Sequence, residues 1–194
     1  MSSVTGLDER GRPTAEVRFQ EIYERHYPHV RAYCRRRVAA ERVDDVVAET
    51  FLTAWRRRDD LPEIHEALPW LYRVAYRVVG HQWRSNSRRR RLGDRLATAR
   101  PSHASSPEEA AVQSDETARV LEAATRLKPD DAEILRLVAW EHLSRHEIAE
   151  VLDLAPNTVS KRIQRARENL RREYERLERN DARRTTGEPE GGTT

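Results

Sequence analysis

Apolar residues recur three or four apart along most of this chain and nowhere alternate in twos, which predicts helices and no strands. Phe19, Ile22, Tyr23, Tyr27, Val30, Tyr33, Cys34 and Val38 form the first such series, with a bend or restart expected at Pro28. Asp44 or Asp45 opens a second helix, where acids suit the positive end of the dipole. Its inner face is Val47, Thr50, Phe51 and Ala54, with Val43 just before it. Its outer face is Asp45, Ala48, Glu49 and Leu52, and it ends at Trp55 and Arg56. Residues 59–69 hold two prolines and no clean period, so they read as a loop. From Trp70 the series Leu71, Val74, Ala75, Val78 and Val79 marks a third helix.

The pattern then lapses and resumes at Val120, Leu121, Ala124 and Leu127, and again after Pro129 with Ile134, Leu135, Leu137, Val138 and Trp140. Ser144 followed by Glu147 is a capping box that starts the next helix, with Ile148, Ala149 and Leu152 on one face. Asp153 tolerates the left-handed backbone of a tight turn. Pro156 suits the first turn of the following helix, in which Val159, Ile163, Ala166 and Leu170 face inward. Two short helices about a tight turn are a helix-turn-helix whose second helix can enter a DNA major groove.

Three stretches carry no period: residues 1–16, 92–117 and 178–194. The expected fold is all-α, with two small helical domains (17–91 and 118–177) joined by a flexible acidic linker (92–117). The C-terminal domain is a four-helix helix-turn-helix module, and a disordered arm and tail are expected at the ends. Residues 101–118 support the linker, holding four acids, two prolines and no lysine or arginine.

Composition fits two small cores better than one large core, because charged residues are 36% of the 194 and mean hydropathy is −0.91. The formal net charge of +3 hides blocks of single sign. Between Trp70 and Leu92 seven arginines, including Arg73, Arg77 and Arg84, stand with no acid and with Trp70, Tyr72, Tyr76 and Trp83 among them. Arginine beside aromatic faces is what single-stranded bases stack on. The second helix of the helix-turn-helix turns Asn157, Thr158, Ser160, Lys161, Gln164 and Arg165 outward, with Arg162 on its flank; these are the candidate duplex-reading residues. Leu52 and Trp55 near the polar face of the second helix suggest a protein-binding surface.

Cys34 is the only cysteine, so no internal disulfide forms and a reducing compartment is expected. The first residues lack a leader's apolar core, and no run approaches the ~20 apolar residues of a membrane span. A cytoplasmic protein is expected. Glu21, Glu24, His26 and His29 could be assembled into a metal set, as could His142 with His146, but no third ligand is placed beside that pair. Neither a metal, a cofactor nor a catalytic residue is expected.

At this point the chain resembles the sigma-70 family of bacterial RNA polymerase sigma factors, in its extracytoplasmic-function (ECF) branch. DDVVAETFLTAW with PWLYRVAYRVV is similar to that family's region 2, and LKPDDAEILRLVAWEHLSRHEIAEVLDLAPNTVSKRIQRARENL to region 4. The resemblance implies binding to the clamp helices of core RNA polymerase through Asp45, Glu49, Leu52, Trp55 and Arg56. It implies capture of the −10 promoter element by Leu61, Ile64, His65, Trp70, Arg73, Tyr76, Arg77 and Arg84. It further implies −35 reading by the helix-turn-helix, contact of the preceding helices with the polymerase flap, and an anti-sigma factor as controlling partner. Arg77 and His81 stand where the family often has asparagine and aspartate. A different class, an ordinary helix-turn-helix regulator that never joins polymerase, also fits the C-terminal half.

Overall fold

The computed structural model describes residues 12–93 and 115–185, with side chains outside 82–93 and 183–185. Among the described residues there are seven α-helices and no strand: α1 (Ala15–Arg35), α2 (Val43–Arg56), α3 (Ala67–Gly93), α4 (Asp115–Thr125), α5 (Pro129–Ala139), α6 (Arg145–Leu152) and α7 (Pro156–Thr185). Single 3-10 turns at Ala40–Arg42 and Arg58–Asp60 flank α2. By compactness the helices fall into two units, one of α1 to α3 with residues 146–154, the other of α4, α5 and α7.

In the first unit α1, α2 and α3 pack pairwise. Most positions of the faces read from the sequence are buried: Ile22, Val30, Tyr33 and Cys34 from α1, Val47, Thr50, Phe51 and Ala54 from α2, and Leu71, Val74, Ala75, Val78 and Val79 from α3, whereas Tyr23 of the same α1 series is exposed and Phe19, Tyr27 and Val38 are half-buried. Thr50 satisfies its buried hydroxyl by donating to the Val46 carbonyl at 2.7 Å, so a polar side chain costs this core little. Arg37 lies 3.4 Å above the Tyr33 ring, and that ring stacks on Tyr72 with centroids 4.9 Å apart.

Pro28 does not restart the first helix: α1 runs unbroken through it. The proline is exposed, and the stripe of Ile22, His26, Val30 and Tyr33 on either side stays buried. That packing outweighs the ~3 kcal/mol a helix-interior proline costs. The N-terminal boundary also shifts, because Thr14 caps α1 by accepting from the Val17 amide at 3.4 Å. At the other end α7 continues to Thr185 where disorder was expected beyond Leu177. The sequence-expected linker falls largely on residues outside the description.

In the second unit α7 packs on α4 and α5. Ala123, Ala132, Ile134, Leu137, Val159, Ile163, Ala166 and Leu177 make its core. On α4 Ala123 is buried, Leu121 and Ala124, with Leu127 just past its end, are half-buried and Val120 is exposed, as is Trp140 at the end of the α5 series. α5 begins with Pro129 in its first turn and buries Asp131, Glu133 and Arg136. Glu133 and Arg136, one turn apart, offset one another at 3.7 Å.

Candidate nucleic-acid and polymerase interface

The helix-turn-helix begins as the capping pattern indicated, with α6 starting directly after Ser144. Its buried residues are Ile148, Ala149 and Val151; Leu152 is half-buried, so Val151 takes the inner place expected for Leu152. Asp153 adopts a φ of 57°, the left-handed turn conformation, and the chain reverses as the Leu154 amide donates to the Ala149 carbonyl at 2.9 Å. α7 then starts at Pro156 and buries Val159, Ile163 and Ala166. Asn157, Ser160, Lys161, Gln164 and Arg165 are exposed, and Thr158 and Arg162 are half-buried at its margin. The outward set therefore forms one continuous polar and cationic strip with no lysine or arginine removed into the core.

Two members of that strip are already engaged. Gln164 donates to Glu168 at 3.2 Å. Arg165 reaches back to α5, where Asp131 accepts from it at 3.3 Å and from Asn169 at 2.7 Å. Neither Asp131 nor Asn169 was singled out in the sequence; the one available signal was an acid at a helix start that must be buried for the α5 core to form.

On α2 the opposite of the core face is fully displayed. Asp45, Glu49, Leu52, Trp55 and Arg56 are all exposed, Leu52 at 47% and Trp55 at 39%. Trp55 is nonetheless fixed. Its ring meets Phe19 edge-on at 5.1 Å, the Arg58 guanidinium lies 4.8 Å over it, and Arg58 is anchored by Glu16 at 3.2 Å. An exposed aromatic held on two sides loses little freedom when a partner covers it.

The candidate −10 residues divide. Trp70, Arg73 and Arg77 lie three and four apart on α3, so they share a face opposite the core stripe. Trp70, Arg73 and Tyr76 are half-buried, Arg77 is exposed, and the Arg84 side chain lies outside the described residues. His65 is exposed and Ile64 half-buried. Leu61, named with the −10 set, is 5% exposed and anchors the loop in the core. Tyr72 likewise belongs to the core, 2% exposed against Tyr33. An apolar side chain beside a tight turn is buried whenever the turn lets it. His26, weighed as a metal ligand, has its Nε2 at 2.9 Å from the Ile64 carbonyl.

With the geometry in place, comparison with known proteins gives one answer. The sigma-70 region 2 family matches residues 22–89, and the sigma-70 region 4 family matches residues 117–170. The chain is 36% identical over 136 residues to the probable RNA polymerase sigma factor RfaY of Xanthomonas campestris, a match spanning 67% of this chain and 33% of that one, so the chain spans about a third of that relative. It is 33% identical to the RNA polymerase sigma factor CnrH of Cupriavidus metallidurans over 66% of this chain and 71% of that one. The ECF sigma-E factor of Haemophilus influenzae is 27% identical over 88% of this chain and 95% of its own length. Among solved structures, the sigma factor RpoE of Bartonella quintana, in complex with the anti-sigma factor NepR, shares the fold at a TM-score of 0.66, 22% identity, and coverage of 81% and 96%. CnrH in complex with the cytosolic domain of CnrY matches at 0.53, 26% identity, and coverage of 78% and 84%. With region 2 on α1 to α3 and region 4 on α4 to α7, the chain belongs to the sigma-70 family of RNA polymerase sigma factors, in its ECF branch.

Proposed function

We propose that the chain binds core RNA polymerase through the outer face of α2, takes up the −10 element on the residue 62–66 loop and the outer face of α3, reads the −35 element with α7, and so directs transcription initiation. The observation that carries the reading is the α2 face. A regulator that works alone has no use for Leu52 and Trp55 at the surface, whereas covering such side chains in an interface returns ~1.5–3 kcal/mol each. Asp45 and Glu49 beside them supply charge complementarity to a basic partner.

The α3 face joins arginine to aromatic rings, the combination that holds unstacked bases, and the α7 strip carries the fork and amide donors that read base edges in a major groove. The chain supplies promoter choice and no chemical step of its own; its place is the cytoplasm, where polymerase and promoter meet. An anti-sigma factor is the second partner, as in the Bartonella quintana RpoE–NepR and CnrH–CnrY complexes. Among the described residues no helix is long and apolar enough to cross a membrane.

The test is reconstitution. Core polymerase given this chain starts RNA at defined 5′ ends on fragments of genomic DNA, and core alone does not. A chain that binds duplex tightly but leaves core polymerase without new start sites is an ordinary regulator.

A further inference from the structure

The connection between α2 and α3 is held from beneath at three points. Arg18 of α1 donates its Nη2 to the carbonyls of Arg58 at 3.0 Å and Asp59 at 3.3 Å. Leu61 is sunk in the core. His26, two turns further along α1 and 5% exposed, has its Nε2 2.9 Å from the Ile64 carbonyl. A carbonyl only accepts, so Nε2 carries the proton, and in the neutral ring Nδ1 is left as an acceptor. Among the described residues that Nδ1 is buried with no hydrogen-bond partner. Burying a ring atom unsatisfied is costly, and a leucine at this place in the α1 stripe avoids the cost.

The same Ile64 carbonyl also takes the amide of Ala67, the first residue of α3, at 3.4 Å. One oxygen thus joins α1, the loop and the start of α3. Both α1 side chains grip main-chain carbonyls, so the path of the loop is fixed while Glu63, His65 and Glu66 remain exposed. We propose that His26, together with Arg18, is a positioning residue that sets the path of the 59–66 loop and through it the choice of base in the −10 element. This rests on the assignment of that loop to the −10 element. A loop held within a fraction of an ångström discriminates between bases; a loop that must be ordered on binding accepts several.

The experiment uses holoenzyme reconstituted from core polymerase and the full chain, transcribing one promoter with each −10 position changed in turn to every other base. His26→Leu removes the donor and keeps the bulk; His26→Gln keeps a donor that can reach Ile64. His26→Leu is expected to lower the preference for the best base over the next by about two- to tenfold, the loss of one ordinary hydrogen bond, with core affinity unchanged, and His26→Gln to restore it. Should His26→Leu not fold, Arg18→Met, which keeps the aliphatic stem at a half-buried site, carries the same expectation. An equal loss on every promoter, or an unchanged preference, overturns the positioning role. His65→Ala separates the two layers. If it changes the base preference and His26→Leu does not, the loop reads the −10 element and His26 does not position it; if neither changes it, the −10 assignment itself fails and the proposal with it.

Discussion

Arg165 of α7 and Asp131 of α5 are bound at 3.3 Å, with the carboxylate almost wholly buried and the guanidinium more than half exposed. The second carboxylate oxygen takes Asn169. The arginine proposed to read a base is therefore held by an acid from another helix, and only part of its fork of five donors is spent on that.

Two opposite outcomes follow for this pair. Arg165→Ala relaxes the choice at one −35 base pair at a cost of ~1–3 kcal/mol and, by leaving Asp131 to Asn169 alone, also destabilises the fold by about 1 kcal/mol. Asp131→Asn releases the guanidinium, so binding to unrelated duplex rises while the margin for the −35 sequence falls. Anisotropy titrations of holoenzyme on matched and scrambled duplexes check both. A loss with Arg165→Ala that is equal on every sequence makes the residue a phosphate contact.

Charge reversal on α2 is expected to act mainly on polymerase binding. Asp45 makes only a 3.8 Å contact with Arg42 at the surface, a pairing worth a few tenths of a kcal/mol. Asp45→Lys with Glu49→Lys therefore costs the fold about 1 kcal/mol, from the loss of a first-turn acid, while core affinity drops about tenfold or more, ~1.4 kcal/mol. Unchanged affinity for core sinks the α2 assignment.

Acid weakens the first unit through His26. Burial holds its pKa below the ordinary 6.5, against the hydrogen bond to Ile64, which raises it, and with His29 and Arg25 adding to the depression. Below about pH 6.5 the unfolded chain takes up a proton that the folded chain refuses, so this contribution to stability falls as pH drops through the folded pKa and is flat above 6.5. Melting temperatures measured at intervals from pH 7.5 to 5 show the decline, and His26→Leu makes it shallower; an identical decline in both chains rules His26 out as its source.

The free chain is expected to bind promoter and random DNA with similar, weak, salt-sensitive affinity. Elements about 17 base pairs apart, the family spacing, are separated by roughly 55–60 Å at ~3.4 Å per step. A linker over 92–117, flexible as the sequence leads one to expect, would have a typical span of about 30 Å and a stretched limit of about 90 Å. Holding both elements without polymerase thus costs chain stretching. Gel shifts at near-physiological salt, with and without core, decide it: tight promoter-specific binding by the chain alone favours the ordinary regulator.

Where one face of a helix is deeply buried the sequence was mostly enough, though on α6 Val151 takes the place read for Leu152. Val159, Ile163 and Ala166, or Leu71, Ala75 and Val78, announce themselves by spacing, and the φ of Asp153 follows from the turn that spacing requires. What spacing cannot show is a tie between a side chain and a distant main chain. The bonds of Arg18 and His26 to carbonyls 38 to 41 residues away leave no pattern at the receiving end. His26 did give a sign, as a polar residue on an apolar stripe, and metal binding was only one way to satisfy it. Leu61 gave no sign of its burial for the related reason that a loop has no period to tell inward from outward.

Cys34, wholly buried in the α1 stripe, gives the first unit a chemical clock of its own. A thiol there reacts with a soluble disulfide reagent only when the surrounding helices part, so in the fast-reclosing regime the labelling rate measures the free energy of that opening. With no other thiol in the sequence, the signal comes from α1 and its neighbours alone. Slower labelling when core polymerase is added reports how firmly the enzyme clasps this half of the chain, and the same measurement with a −35 duplex is blind to events confined to α7.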